Sequence, residues 1–286
     1  MSAVAPAAPV PGRARAGESP VTVAAQMFGA DLLKLRRKRS ILIWALVLAL
    51  APILIYFVVA VIEHASNPYS ITNPRGYRPA GGTGNFSDGL RVIALLFAPL
   101  AALLIGVEAG TGDTAAGVFR DLVVTGRSRV ALFASRVPAA LALCFSIMLA
   151  AYAVLLVGTF AFAGSLPTPG GSQILNGLGF LLLSTGMLCV VAVGFAALVN
   201  SKPGAIIALI AWQIVASPVI ANISALGGAR KGLLSQAIAH FSPVGTGNGG
   251  HGATVTLSGG LAVLVLVGWL VVFLALGAWR TSTMDT

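Results

Sequence analysis

One segment of the chain combines charged residues with glycines between two apolar stretches: VEAGTGDTAAGVFRDLVVTGRSRVALFASR at 107–136. It contains four arginines and three carboxylates: Arg120, Arg127, Arg129, Arg136, Glu108, Asp113 and Asp121. Such side chains make charge-assisted hydrogen bonds, and an excess of arginine marks a loop between spans as cytoplasmic. The segment therefore predicts a cytoplasmic docking surface.

Residues that carry out bond chemistry do not form a recognisable site in the sequence. No G-x-x-x-x-G-K-[ST] pattern occurs, and neither Lys202 nor Lys231 follows a glycine-rich phosphate loop. His64, His240 and His251 are far apart, and no carboxylate pair has metal-binding or acid–base spacing within an apolar stretch. We expect no metal site, no catalytic residues and no ATP-binding site of this type in the chain.

Uncharged polar residues do occur inside the apolar stretches, notably Gln213 and Asn222. They are candidates for a substrate path, although such residues usually hydrogen-bond neighbouring helices. No ionisable residue stands at the centre of a span, whereas ion-coupled carriers commonly keep such groups there. The sequence thus disfavours a secondary transporter.

Composition places the chain in the membrane. Hydrophobic residues make up 57% and charged residues 9% of its 286 positions, against about a quarter charged in soluble domains. The formal charge of +10 is scattered over short loops, which favours contact with anionic lipids and argues against nucleic acid. Cys144 and Cys189 lie in apolar stretches and are interpreted as packing residues.

Hydropathy predicts an all-α integral membrane protein with six transmembrane helices, since a span needs about 20 apolar residues. The expected spans are about 40–62, 91–108, 137–163, 174–200, 204–226 and 261–279, within a transmembrane domain at 40–280. Residues 1–20 are expected to form a disordered cytoplasmic tail, and 281–286 a cytoplasmic C-terminus. Residues 21–39 predict an amphipathic interfacial helix, with an irregular juxtamembrane anchor as the alternative.

Six spans place both termini on one side of the membrane. With the termini inside, thirteen of the eighteen Lys and Arg residues fall in the cytoplasm, and five fall outside. The imbalance predicts cytoplasmic termini.

This layout resembles the permease subunit of ABC-2 type transporters. In that family a glutamate commonly ends the second span, and a short helix, a turn and a basic residue follow. Here Glu108 corresponds to the glutamate, Gly117 and Val118 to the start of the segment, and Phe119–Val123 to the helix. Thr125–Arg129 correspond to the turn and Arg136 to the basic residue, although Gly126 and Val118 replace the usual proline and threonine.

The resemblance implies that this segment is a short cytoplasmic coupling helix that binds a separate ATPase subunit. Its contact residues would be Glu108, Gly117, Phe119, Arg120, Asp121, Leu122, Thr125, Arg127 and Arg129. Two ATPase subunits would hold the ATP and Mg, a second permease copy or homologue would complete the complex, and this chain would hold no cofactor. The expected cargo is amphipathic, lipid-like, drug-like or a peptide, and the expected location is the bacterial cytoplasmic membrane.

Two other functions are consistent with the sequence. One is an ion-coupled carrier or channel, and the other is a scaffold that recruits a cytoplasmic protein and transports nothing. The loop itself is alternatively a basic segment that only enforces topology.

Overall fold

The structure, a computed structural model, describes residues 19–115, 128–243 and 255–283, and these residues form helices and their connections, with no β-strand. Six helices are long and apolar enough to cross a membrane, which confirms the expected all-α fold with six spans. They are α2 (Arg39–Ser66), α3 (Gly82–Val92, a π-helical turn Ile93–Phe97, and Ala98–Ala115), α4 (Arg129–Ala161), α5 (Gly171–Val199), α6 (Lys202–Ala211, a π-helical turn Trp212–Ala216, and Ser217–Asn222) and α8 (Gly259–Thr283). Two shorter helices are α1 (Pro20–Arg37) and α7 (Leu234–His240).

Two of the long helices begin eight or nine residues before the predicted spans. α3 starts at Gly82 instead of 91, because Phe86 and Leu90 are buried and extend the packed surface beyond the apolar run. α4 starts at Arg129 instead of 137, because the Ser128 side chain caps it by accepting from the Ala131 N–H at 3.1 Å. Hydropathy locates the apolar part of a helix, whereas packing and capping decide where it begins.

The core of the bundle is the contact between α3 and α5, the two most buried of the long helices. Small residues of α3 at four-residue intervals, including Gly106 and Gly110, lie against the α5 backbone. A Cβ at Gly110 would lie 2.6 Å from the Val193 carbonyl oxygen, closer than a side chain tolerates. Glycine therefore permits the close approach, as in small-xxx-small helix pairs within membranes.

α8 packs on the other side of α5 by the same device. The Cα of Gly194 lies against the backbone of Phe273, and Gly277 lies against the Phe133 ring of α4. Phe195 and Phe273 also meet edge to face, with ring centroids 6.1 Å apart. α5 is therefore the central helix, with α3 and α8 on two of its faces.

α1 precedes the first long helix and packs mainly on α4. It begins with a Ser19 cap and ends in a basic last turn. Leu35 is buried, whereas Leu33 is exposed. Lys38 alone separates α1 from α2, so the orientation of one helix constrains the other.

The connections at the far end of the bundle are held by backbone hydrogen bonds. The Gly81 N–H donates to the Phe162 carbonyl at 2.9 Å, and the Thr83 N–H donates to Pro167 at 2.9 Å. These bonds join the connection before α3 to the one between α4 and α5. The Trp269 Nε1–H of α8 donates to the Gly232 carbonyl at 2.9 Å, which holds the segment before α7.

The close contact of Gly106 and Gly110 with α5, which we call the glycine seam, generates a prediction with a matched pair of variants. Gly110→Ala is expected to lower the free energy of unfolding by about 1–3 kcal/mol, because the new methyl group overlaps the α5 backbone. Gly268→Ala, in α8 with no atom within 4 Å of the new Cβ, is expected to be neutral or stabilising by up to about 1 kcal/mol. Unfolding of both variants in a denaturing-detergent titration measures the difference, and equal stabilities would contradict the seam.

Candidate functional site: a buried ion-pair cluster

Charged side chains from four helices and one linker meet at one end of the bundle, which we call the charged end. The cluster contains Asp31 and Lys34 of α1, Lys38 of the linker, Glu108 and Asp113 of α3, Arg136 of α4 and Lys202 of α6. Three carboxylates thus meet four cations. The second and third long helices, which flank residues 116–127, both contribute to it.

Asp113 is the residue that joins α1, α3 and α4. Its Oδ2 accepts from Arg136 Nη2 at 2.8 Å, and its Oδ1 accepts from Lys34 Nζ at 2.6 Å. Arg136 Nη1 also donates to the Gly110 carbonyl at 3.3 Å. The Asp113 and Arg136 side chains are both almost completely buried, so this pair lies within the packed bundle.

Glu108 joins the α1–α2 linker to α6. Lys38 Nζ lies 3.2 Å from Oε1, and Lys202 Nζ lies 2.6 Å from Oε2. Among the described residues no donor meets hydrogen-bond angles at Oε2, so the Lys202 contact is an ion pair by distance and charge. Glu108 itself is only 3% exposed, whereas both lysines reach solvent.

Asp31 makes the contact that fastens α1 to α4. Its Oδ2 accepts from the Ser135 hydroxyl at 2.6 Å, and its Oδ1 lies 3.6 Å from Lys34 Nζ. Asp31 and Lys34 are three residues apart and share one side of α1. Through these two residues α1 reaches both α4 and the Asp113 carboxylate.

The arrangement is suited to holding helices in position. The cavity beside the cluster measures about 30 Å³, enough for about one water molecule. Within the described residues no group of three or more His, Cys, Asp or Glu side chains is placed to hold a metal ion. A buried carboxylate deprived of its cation is strongly destabilising, so these pairs fix the register of the helices.

The candidate residues fall into three groups. Gly117, Phe119, Arg120, Asp121, Leu122, Thr125 and Arg127 lie outside the described residues. Glu108 is placed in the interior with two lysines, so its carboxylate supports the segment from within the bundle. Arg129, the first residue of α4, donates from Nη1 to the Ser282 carbonyl at 3.3 Å and so ties α4 to the end of α8.

The two candidates for a substrate path occupy α6, apart from the cluster. Gln213 lies in the π-helical turn Trp212–Ala216, and Asn222 ends the helix. The Asn222 side-chain amide donates to the Pro218 carbonyl at 2.9 Å, a bond within its own helix. The structure therefore does not bring these two residues to the charged end.

Sequence reasoning assigned Lys34, Lys38 and Lys202 to topology and missed their pairing with carboxylates. The positions of Glu108 and Asp113 in the sequence do indicate that both carboxylates need cationic partners. Carboxylates at the end of an apolar helix require cations when they are buried, and neither Glu108 nor Asp113 has a Lys or Arg within four residues along the chain. Which cations take these places is decided by packing, which the sequence pattern does not show.

The Asp113–Arg136 pair generates a double-mutant prediction. Asp113→Asn and Arg136→Gln are each expected to lower the free energy of unfolding by about 3–5 kcal/mol, because each leaves one buried charge without its principal partner. The double variant is expected to lose less than the sum of the two. Lys34→Met is the control, because Lys34 is partly exposed and Asp113 keeps Arg136. Additive losses would show that the pair does not act as a unit.

No family model matches the sequence, and no curated protein is significantly similar to it. Its own residues and contacts are therefore what a proposed function must explain.

Proposed function

We propose that the chain is the membrane-spanning permease subunit of an ABC-2 type exporter. Two separate ATPase subunits would bind ATP and Mg, and a second permease copy or homologue would complete the complex. The observation that carries the proposal is the ion-pair cluster on the two helices that residues 116–127 connect. Glu108 and Asp113 of α3 and Arg136 of α4 belong to this cluster, which also reaches α1, the α1–α2 linker and α6.

The cluster gives a route by which force on residues 116–127 would move the helices. Asp113 lies before the segment and Arg136 after it, and their side chains bind each other. Separating buried charges of this kind costs about 3–5 kcal/mol, so a push on the segment is expected to displace α3 and α4 together. Lys34 and Lys202 extend the same movement to α1 and α6.

The proposed contact with the ATPase consists of Phe119 and Leu122 as apolar anchors. Arg120, Asp121, Arg127 and Arg129 would surround them as polar contacts, an arrangement in which the aromatic group gives affinity and the charges give orientation. Glu108 would act from inside the bundle, since it is buried and paired with two lysines.

The charge distribution supports a cytoplasmic charged end in a bacterial inner membrane. Nine described Lys and Arg residues lie at or near this end: Lys34, Arg36, Arg37, Lys38, Arg39, Arg129, Arg136, Lys202 and Arg280. Five lie towards the other end: Arg75, Arg78, Arg91, Arg230 and Lys231. The positive-inside rule then orients both termini to the cytoplasm. The exposed Arg36 and Arg37 of α1 are suited to anionic lipid headgroups, as expected for an interfacial helix.

The proposed transport path is formed by α3 and α6. Both contain a π-helical turn, at Ile93–Phe97 and Trp212–Ala216, and such turns are frequent at functional sites. Gln213 is a polar group on an otherwise apolar part of α6. Walls of this composition favour an amphipathic cargo over a small ion.

Partner capture tests the coupling role. An ATPase is expected to co-purify with the native chain from mild detergent and to be lost with Phe119→Asp, because a carboxylate at the anchor position removes the apolar contact. Ile71→Asp is the matched control, since Ile71 is 98% exposed in the connection at the opposite end. The measurement is nucleotide hydrolysis in each purified fraction.

Three results would contradict the exporter proposal. The first is the absence of any nucleotide-hydrolysing partner, and the second is equal loss of the partner with both aspartate variants. The third is a partner whose hydrolysis no amphipathic compound stimulates, which is the behaviour expected of a scaffold. Transport that survives ATP depletion and collapses with the ion gradient would instead identify a carrier.

Cysteine labelling tests the orientation. Cys144 and Cys189 are buried, so single cysteines introduced at exposed positions report their own side of the membrane. Ile71→Cys is expected to react with an impermeant maleimide in intact cells, and Ser282→Cys only after the membrane is opened, because the charged end is cytoplasmic in this proposal. The reverse pattern would place residues 116–127 outside and exclude coupling to a cytoplasmic ATPase.

A further inference from the structure

A long groove lies between α2 and the first half of α3, towards the end opposite to the ion-pair cluster. Its volume is about 540 Å³, within the range of about 300–1,000 Å³ typical of ligand pockets. The α2 residues that line it all fall on one face, from Val47 to Glu63. At 1.5 Å per residue this face is about 24 Å long.

The body of the groove is apolar and opens sideways. Ile55 and Val59 line it and are 61% and 46% exposed, so the groove is accessible along the flank of α2. Val92, which directly precedes the π-helical turn of α3, and Phe97, the last residue of that turn, form the opposite wall. A long apolar groove of this shape is suited to one extended hydrocarbon chain.

Polar groups gather at one end of the groove. The Tyr56 hydroxyl donates to Asn85 Oδ1 at 2.7 Å, and the Asn85 amide nitrogen donates to the Gly81 and Pro79 carbonyls at 2.9 and 2.8 Å. These bonds hold Tyr56 and Asn85 in fixed positions, and Glu63, about two helical turns beyond Tyr56 on α2, also lines the groove. The polar end is therefore preorganised on the two helices that form the apolar part.

The charged side chain in the lining of the groove is the carboxylate of Glu63. Glu63 lines the groove, and no described Lys, Arg or His side chain lies within 4 Å of its carboxylate. Arg91, the nearest arginine along α3, does not line the groove. A cation is thus the complementary headgroup.

We propose that this groove binds a single-chain cationic amphiphile. Its ammonium group would pair with Glu63 at the polar end, and its hydrocarbon chain would lie along α2 towards Val47. The role of such a molecule as cargo rests on the proposed exporter function, whereas its binding needs no ATPase and is measured on this chain alone. An anionic headgroup would be repelled, and an uncharged one would lose the ion pair.

Photolabelling of the full chain in vesicles of uncharged glycolipid tests the site. The probe is dodecyltrimethylammonium with a diazirine in its alkyl chain, and labelled residues are identified by mass spectrometry. Saturable labelling is expected within 47–63 and 85–97. Glu63→Gln is expected to raise the half-saturating concentration about tenfold, because it removes the ion pair between the carboxylate and the trimethylammonium group.

Two tryptophan variants of α2 separate occupation of the groove from changes in folding. Ala60→Trp is expected to abolish saturable labelling, because Ala60 lines the groove. Val58→Trp is the control and is expected to leave saturable labelling unchanged, because Val58 is exposed and lies outside the lining. Labelling spread evenly over the six long helices, or unchanged by Glu63→Gln, would overturn the proposal. Equal labelling by the same chain with a sulfate headgroup would also overturn it. If the groove binds the probe but no ATPase co-purifies, the exporter function fails and the binding site stands.

Discussion

The constraint on which the structure depends is that a buried carboxylate must be accompanied by cations. Glu108 and Asp113 lie at the end of the apolar part of α3, where desolvation would make an unpaired charge very costly. Asp113 is met by Lys34 of α1 and Arg136 of α4, and Glu108 by Lys38 of the α1–α2 linker and Lys202 of α6. The positions of α1, α4 and α6 at the charged end are therefore constrained by the pairing of Glu108 and Asp113 on α3 with cations.

That arrangement is possible because α3 uses different faces for different partners. Gly106 and Glu108 are two residues apart, which at 100° per residue places them on nearly opposite sides of the helix. The glycine side lies against the α5 backbone, and the glutamate side meets Lys38 and Lys202. One face of α3 therefore packs closely on α5 through its glycines, and the opposite face is available for the ion pairs.

The sequence was sufficient for the number and type of the long helices, because a run of about 20 apolar residues has few other stable structures. It was insufficient for the starts of α3 and α4, which depend on the burial of Phe86 and on the Ser128 cap. The ion-pair cluster likewise has a part that the sequence predicts and a part that only packing decides. The carboxylates at 108 and 113 were visible as charges, whereas their pairing with Lys34 and Lys202 is long-range in sequence and arises only from packing.

The cluster and the groove are joined by the helices that they share. α2 begins one residue after Lys38 and carries Glu63 near its other end, and α3 carries Asn85 near its beginning and Glu108 near its end. Packed helices shift as rigid bodies rather than deform continuously, so a displacement of Glu108 relative to Lys38 is transmitted along both α2 and α3. The groove is the gap between these two helices. Because it is open at the side, they are freer to separate there than α3 and α5 are at their close contact. If the chain is the proposed exporter subunit, a push at the charged end is therefore expected to change the width of the groove more than the contact between α3 and α5.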